Sequence, residues 1–525
     1  MEPVIVVGAG PVGLALALAL ARHEVPSVLL ETGDGEAPVR PARTCVLRPD
    51  TAALAQRLAG PAALPGTHWR VWRTLRRRQC LDQEDFAPGD APFHLPQHTL
   101  TGALTAAVRG SGLVDFVPGR RLTELEQHAS GVRARTSGGL GATWSGSYLV
   151  GCDGARSTVR KLLGVRFPGR TSVERRAVAA LRVPLPWPDE ALLHRDPPDG
   201  AGEVSARSLP GGRWRLDWRL PPRGDLVTPE DLLRRIESTL AAWSEEAGPQ
   251  DGTPAYELLD TGVHTAHQRL ARRWRCGRAF LAGDAARLLG ALGTQSVDEG
   301  LRDADNLAWK LAVAWHGKGG AATDALLDTY ESERRGVSVA RLRALDQALP
   351  LVQGGSGLRS LLPGGRGPLG LLTDGHAGRG PLGAPGAYAA SPLTSAALPG
   401  MPVSAELGRP AADVPVTPPG GERQPLRGRL GRRLLVVLVA PGTGVWESRH
   451  WRNAGVMPQL AAAVRGLPLP AELLVAEAYP GAEAHSVLLV RPDGHLAAAL
   501  PGVDAAALHA SVVRLAGGDG ADVRA

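Results

Sequence analysis

Residues 3–21 read PVIVVGAGPVGLALALALA, nineteen positions without a charge. A bilayer span needs about 20 apolar residues in a row, so length and hydropathy alone admit a membrane helix. The glycines decide otherwise. Gly8, Gly10 and Gly13 stand as G-x-G-x-x-G directly after the β-branched run Val4 to Val7, which predicts strand, tight turn and helix. Gly8 makes the turn, Gly10 lets backbone approach a pyrophosphate, and Gly13 lets helix pack on strand. The helix N-terminus then holds the anion. Only Glu2 precedes the run, whereas a secretory signal needs a basic start and a small-residue cleavage site.

A βαβ nucleotide unit expects an acidic residue at the end of its second strand, about 20 residues past the last glycine. Glu31 fills that place after Pro26-Ser-Val-Leu-Leu; its carboxylate accepts from ribose hydroxyls, or it is an ordinary strand-end carboxylate. Two further literal matches, Gly365 to Gly370 and Gly378 to Gly383, follow no β-branched run and carry proline where a helix would open. They read as low-complexity loop, and a second dinucleotide fold is not expected.

At 525 residues the chain exceeds the size of one hydrophobic core, so two or three domains are expected. The net charge of +7 rests on arginine, with lysine only at 161, 310 and 318. The arginines are scattered, and the densest cluster, Arg70 to Arg78, is interleaved with Trp69 and Trp72. No nucleic-acid or membrane partner is expected. Cys45, Cys80, Cys152 and Cys276 show neither C-x-x-C nor metal-ligand spacing, which predicts no metal site and free buried thiols in a reducing cytoplasm.

Two later segments carry further chemistry. Tyr148-Leu-Val-Gly-Cys-Asp-Gly-Ala-Arg-Ser-Thr-Val-Arg160 reads as a strand, an acidic-glycine turn and a short helix. Gly277-Arg-Ala-Phe-Leu-Ala-Gly-Asp-Ala-Ala286 reads as a small-residue strand that delivers Asp284 into a cleft, followed by backbone donors. The order and spacing of the three motifs resemble the FAD-dependent aromatic hydroxylases, the single-component flavoprotein monooxygenases. Arg43-Thr-Cys-Val-Leu-Arg-Pro-Asp-Thr51, Leu95-Pro-Gln97 and the helical Asp303 to Leu311 and Tyr330 to Arg335 extend the likeness.

That resemblance implies an α/β fold: a Rossmann-like FAD-binding domain (1–172 and 269–352), an inserted antiparallel-sheet substrate domain (173–268), a Gly/Pro-rich connector (353–400) and a thioredoxin-like C-terminal domain (401–525), as in hydroxylases of the polyketide-tailoring branch. It implies non-covalent FAD held by Gly8, Gly10, Gly13, Glu31, Arg43, Gln97, Asp153, Gly154, Gly283, Asp284, Ser296, Val297 and Asp298. NADPH or NADH visits as co-substrate without a Rossmann domain of its own, with Arg156 and Arg160 as its contacts or those of the pyrophosphate. Pro441-Gly-Thr-Gly stands where a redox thioredoxin has cysteines, so the tail is expected to be structural or a homodimer contact.

The alternating strand Arg213 to Leu220 puts Trp214, Leu216, Trp218 and Leu220 on one face; Trp214 and Trp218 are expected at the substrate pocket, with core packing the equal alternative. His264 and His267 are structural histidines or proton shuttles. After Asp284 the chain departs from the family: Arg287 replaces a common histidine, Gly290 and Ala291 replace prolines, and Thr294 and Ser296 replace glycines. Arg287 is the one catalytic candidate, with a structural salt bridge as its alternative.

The implied function is insertion of one oxygen atom from O2, through a flavin peroxide, into a bulky aromatic substrate, most naturally a polycyclic polyketide. A Baeyer-Villiger or ring-cleaving oxygenase and a degenerate flavin-binding accessory subunit are the alternatives. No W-x-W-x-I-P halogenase segment and no G-x-S-x-G elbow is present.

Overall fold

The opening run is uncharged because most of it is buried. In the computed structural model, which describes residues 1–61, 64–138, 142–197, 202–221, 226–247, 254–290, 296–317, 320–353, 368–395, 404–443, 448–451 and 453–518, Val4–Val7 forms the centre of a six-stranded sheet. It pairs in parallel with Ser27–Leu30 on one side and Tyr148–Gly151 on the other. Val114–Val117 and Ala279–Leu281 extend the sheet outward, and the short strand Arg275–Cys276 closes one edge. The helix Pro11–Arg22 lies over it, packed between the helices Gln97–Arg109 and Ser296–His316. Among the described residues no helix is long and apolar enough to cross a membrane.

A second sheet of eight strands stands beside the first. Its order runs Arg287–Leu289, Glu257–Leu270, Gly169–Arg182, Arg213–Leu220, Val204–Leu209, Glu190–His194, Val71–Arg76 and Gln79–Asp85. The inserted segment therefore does not build this sheet alone: the hairpin 71–85, expected within the FAD-binding part, supplies two of its strands. Trp69 and Trp72 of the arginine-rich cluster are buried in this region rather than displayed to a polyanion. Helix Pro229–Ala247 covers one face of the sheet and leaves the other toward the nucleotide-binding body.

The described part of the connector, residues 368–395, has regular structure. Helix Pro368–Ala377 packs on the hairpin 71–85, where Thr373 Oγ1 donates to Asp82 at 2.6 Å; Arg379, just before the turn Gly380–Gly383 that lies within one literal glycine match, pairs with Glu84. Low-complexity loop is thus the wrong description for residues 368–383.

The C-terminal domain is thioredoxin-like. Parallel strands Leu434–Val439 and Ala471–Ala476 sit at its centre, Val487–Val490 and Leu496–Leu500 continue antiparallel on one side, and helices Met457–Arg465 and Ala505–Leu515 cover it. It is keyed into the nucleotide-binding body by buried charge. Arg491 donates to Glu333 at 2.7 and 2.9 Å, Lys310 Nζ donates to the same carboxylate at 2.7 Å, and Asn306 reaches Asp493 at 2.9 Å. All four cysteines are free, but only Cys45 and Cys152 are buried; Cys80 is exposed and Cys276 half-buried, correcting the expectation of four buried thiols.

Candidate functional site

A cavity of about 940 Å³ runs from the glycine turn to the second sheet. At its first end the three glycines divide by role. Gly8 has φ +101°, and a Cβ there would lie 2.7 Å from the Cys152 carbonyl oxygen. A Cβ on Gly13 would lie 1.9 Å from the Gly8 oxygen, so helix and strand touch there. Gly10 meets nothing within 4 Å. It caps the helix Pro11–Arg22 with no side chain over the end, leaving N–H groups and helix dipole open to an anion from the cavity.

Glu31 lines the same wall. Its carboxylate accepts from Ala9 N at 2.6 Å and Gly33 N at 2.8 Å, so it is held at the mouth of the turn where a ribose would follow a pyrophosphate. Arg43 and Gln97, 54 residues apart, meet on the opposite wall: Arg43 Nε donates to Gln97 Oε1 at 3.1 Å, and Gln97 N donates to the Arg43 carbonyl at 2.9 Å.

Farther in, the one-turn segment Gly283–Ala285 presents Asp284 to the cavity. Burial pushes this carboxyl above its ordinary range, opposed by a hydrogen bond with Ser296. Gly283 has φ +62° and packs against Val12, so a side chain there would press into the first helix. Ser296 and Val297 line the cavity at the N-terminus of the 21-residue helix Ser296–His316, whose dipole favours electron-rich groups there. Residues 291–295, including Ala291 and Thr294, lie outside the described residues.

Other expected contacts are committed elsewhere. The Asp153 carboxylate accepts from Ser157 Oγ at 2.5 Å, Thr158 N at 2.6 Å and Val159 N at 3.0 Å, so it caps the helix Thr158–Leu162 while its neighbours Cys152 and Gly154 line the cavity. Asp298 accepts from Arg48 N and Arg302 Nη1, both at 2.8 Å, and from Thr51, and is buried in that network. Its side chain is therefore not free for the cofactor contact expected at Asp298.

Arg160 is likewise engaged: Nη1 donates to the Ala285 carbonyl and Nη2 to that of Ala155, each at 2.9 Å, over the Phe167 ring. Arg156 is exposed. Arg287 pairs with Asp303, both wholly buried, and faces the Trp274 ring rather than the cavity; the salt-bridge alternative holds and the catalytic one does not.

Trp214 and Trp218 also point away from the cavity. They pack beneath helix Pro229–Ala247, where Trp218 Nε1 donates to Thr239 at 3.0 Å, so the pocket role expected of them is corrected to core packing. The strand's other face, carrying Arg215, Asp217 and Arg219, forms the cavity floor. Alternation was legible; which face turns toward the nucleotide was not, because a buried sheet face rich in charge breaks the usual apolar-inward rule.

Sequence reasoning also missed Arg176, Arg207, Ser205 and His376, all on the cavity wall. Arg176 is paired with Glu174 and Glu203, while Arg207 and Arg215 share Asp217. His376 arrives from the connector helix and stacks on Trp72 with ring centroids 4.2 Å apart. His264 and His267 do line the cavity, and burial lowers the pKa of His264. Among the described residues no cluster has the makeup of a metal site.

An open helix N-terminus, a carboxylate at the second strand's end and a buried carboxyl beside a second helix N-terminus, all on one cavity, are groups suited to a flavin dinucleotide. FAD fits what is present: its diphosphate would have the unobstructed side of Gly10, and its ribose and ribityl hydroxyls would have Glu31 and Asp284. Residues 1–344 match the family model described as FAD binding domain, and the chain belongs to that family, the FAD-dependent aromatic hydroxylases.

Over 347 residues it is 33% identical to the 3-(3-hydroxy-phenyl)propionate/3-hydroxycinnamic acid hydroxylase of Mycobacterium sp. (strain JLS), a match covering 63% of this chain and 57% of that one. It is 32% identical over 362 residues to the 6-methylpretetramide 4-monooxygenase of Streptomyces rimosus, covering 66% of this chain and 62% of the relative. The match thus spans less than two thirds of these relatives' length. The fold extends further: the crystal structure of the flavin-dependent monooxygenase PieE, in complex with FAD and substrate, superposes with a TM-score of 0.73 at 22% identity, covering 98% of this chain and 99% of that chain.

Proposed function

We propose that the chain is an FAD- and NAD(P)H-dependent monooxygenase that transfers one oxygen atom of O2 to a bulky, polycyclic aromatic substrate of polyketide type. The observation that carries this reading is one continuous cavity joining a dinucleotide turn to a sheet floor and roofed by the connector helix. Its relatives' names support the class: one acts on phenylpropionates and another on a pretetramide.

Bound FAD supplies the electron transfer and the oxygen chemistry. The chain's own residues bind and orient. The N–H groups around Gly10 and the helix dipole hold the diphosphate, Glu31 the adenosine ribose, and Asp284 the ribityl chain. The backbone of Ser296 and Val297 presents N–H donors where the ring's electron-rich edge would lie. The floor and the connector helix exclude water from the far end and hold the substrate against the flavin. Arg156, exposed beside Gly154, contacts the nicotinamide coenzyme as it visits.

The test is coenzyme oxidation by the purified holoprotein with a panel of polycyclic phenols and quinones, followed by product mass under labelled dioxygen. Substrate-accelerated oxidation with one labelled oxygen in the product is expected. A ring-expanded or cleaved skeleton assigns the Baeyer-Villiger alternative, and retained FAD with no acceleration by any aromatic assigns the accessory subunit.

A further inference from the structure

The cavity floor is a buried, polarised array of charge. Arg176, Arg207 and Arg215 pair there with Glu174, Glu203 and Asp217, but the pairing is uneven. At one end Arg176 is held between Glu174 at 2.5 Å and Glu203 at 3.2 Å. At the other, Arg207 and Arg215 share the single carboxylate of Asp217, at 3.2 and 2.6 Å. The second end carries the excess of positive charge, and part of its hydrogen-bonding capacity is unspent. Arg207 Nε and Ser205 Oγ are both buried and have no hydrogen-bond partner among the described residues. Leaving such groups unsatisfied is costly, so a cation donor and a hydroxyl without a partner on a cavity wall are available to an anion that enters the cavity.

The third member comes from the connector. Arg207 lies directly across from Ala191, and Ala191 across from Trp72, so Arg207 and Trp72 stand two strands apart, about 10 Å, with only a methyl group between them. His376 stacks on Trp72 and lines the cavity above this gap. Around it are Arg207, Arg48 and Arg176, with Asp217 opposing. Burial and these cations push its imidazolium far below the usual histidine range, so the ring is neutral, a poor base and a good N–H donor. Burial lowers the Arg207 guanidinium to about 10, which leaves it charged at neutral pH.

We infer that Arg207, Ser205 and His376 form a binding site for one ionised oxygen of the substrate, a phenolate, enolate or carboxylate, and thereby fix which end of the ring system enters first. This rests on the proposed function for the identity of the ligand. The proton is lost to solvent on binding rather than taken by His376, and the anion receives hydrogen bonds from Arg207 Nε, Ser205 Oγ and the imidazole. A ring system bearing an acidic hydroxyl is preferred over its methyl ether.

The experiment is a spectroscopic titration of FAD-loaded protein with three probes: 1,8-dihydroxyanthraquinone, its dimethyl ether, and anthraquinone-2-carboxylate. The wild-type protein should bind the dihydroxy probe in its ionised, red-shifted form at a pH where the free probe is neutral, and bind it more tightly than the ether. Arg207→Gln keeps Asp217 paired with Arg215; it should abolish the red shift and weaken binding by about tenfold to a hundredfold, as expected for loss of a charge-assisted hydrogen bond. Arg207→Lys should restore part of both, and His376→Leu should lower affinity by a smaller factor without removing FAD.

Discrimination by Arg207 confined to the carboxylate probe would assign a carboxylate as the natural anion. Wild-type protein that binds the hydroxyl and ether probes alike and shows no Arg207-dependent binding of the carboxylate, or Arg207→Gln that binds all three as wild type does, overturns the inference. Coenzyme oxidation measured on the same samples separates the two readings. A red shift that depends on Arg207 without any turnover leaves the anion site standing and removes the oxygenation reading; turnover without that dependence does the reverse.

Discussion

Arg160 donates from Nη1 to the carbonyl oxygen of Ala285 at 2.9 Å, so one guanidinium ties the acidic-glycine turn after Tyr148–Gly151 to the turn that presents Asp284, 125 residues later. With its second bond to Ala155 and its position over Phe167, Arg160 fixes the spacing of two cavity walls. Replacement by alanine removes two charge-assisted bonds and strands two carbonyls. We expect a loss of about 2–4 kcal/mol in stability with faster flavin release, read by thermal unfolding and flavin fluorescence. An Arg160→Ala protein of unchanged stability whose only defect is a raised KM for NAD(P)H would assign this residue to the coenzyme instead.

Gly10 and Gly13 separate folding from binding. The 1.9 Å approach of a Gly13 Cβ to the Gly8 oxygen means that Gly13→Ala must push helix Pro11–Arg22 off the sheet, so little soluble protein is expected. Gly10→Ala meets no neighbour; its apoprotein should melt within about 1 kcal/mol of wild type while FAD affinity falls at least tenfold, measured by titration of the deflavinated protein. Equal losses in both variants would contradict the placement of a diphosphate beside Gly10.

Arg287 and Asp303 form a wholly buried pair, and Asp303 also accepts from Gly283 N at 3.0 Å and Arg334 Nε at 2.8 Å. Arg287 therefore acts on the Gly283–Ala285 turn through Asp303. Arg287→Met should cost roughly 3–5 kcal/mol, seen as a lowered Tm and weaker flavin retention together. Arg287→Lys keeps the charge and should recover part of the loss. A catalytic group would show the opposite pattern, normal Tm and retained FAD with a fall in kcat.

The nucleotide-binding half was legible because its constraints are local. Gly8, Gly10 and Gly13 are fixed by a turn and a helix contact within six residues, and Glu31 by the length of one helix and one strand. Arg43 and Gln97 needed the resemblance, since only the pairing of Thr44–Leu47 with Phe93–Pro96 brings them together. The substrate end resisted for a physical reason. Trp214 and Trp218 look like a ring-stacking wall by chemistry, yet an amphipathic helix claims that face, and the face left for the cavity is lined with ion pairs. His376 lies in a stretch whose glycines and prolines read as linker; nothing local reveals that Trp72, some 300 positions earlier, receives it.

Asp305 gives the chain a pH dependence of stability with a definite sign. It lies on a second cavity of about 310 Å³ between the nucleotide-binding body and the C-terminal domain, and burial raises its carboxyl to about 7. Arg57 and Arg22 pull it down, while Asp493 and Asp50 add to the rise. Between the unfolded value near 4 and about 7 the folded protein binds the extra proton, so stability from this group is fully present below pH 4 and is lost as pH rises toward 7. The contribution lost is on the order of 2–4 kcal/mol, from a shift of about three units at 1.36 kcal/mol each, reduced for partial solvent access. Asp305→Asn should therefore raise the Tm more at pH 8 than at pH 5. Paired thermal melts at the two pH values read this directly, and a wild-type-minus-variant difference that is flat across the range would show that Asp305 is ionised in the folded protein throughout.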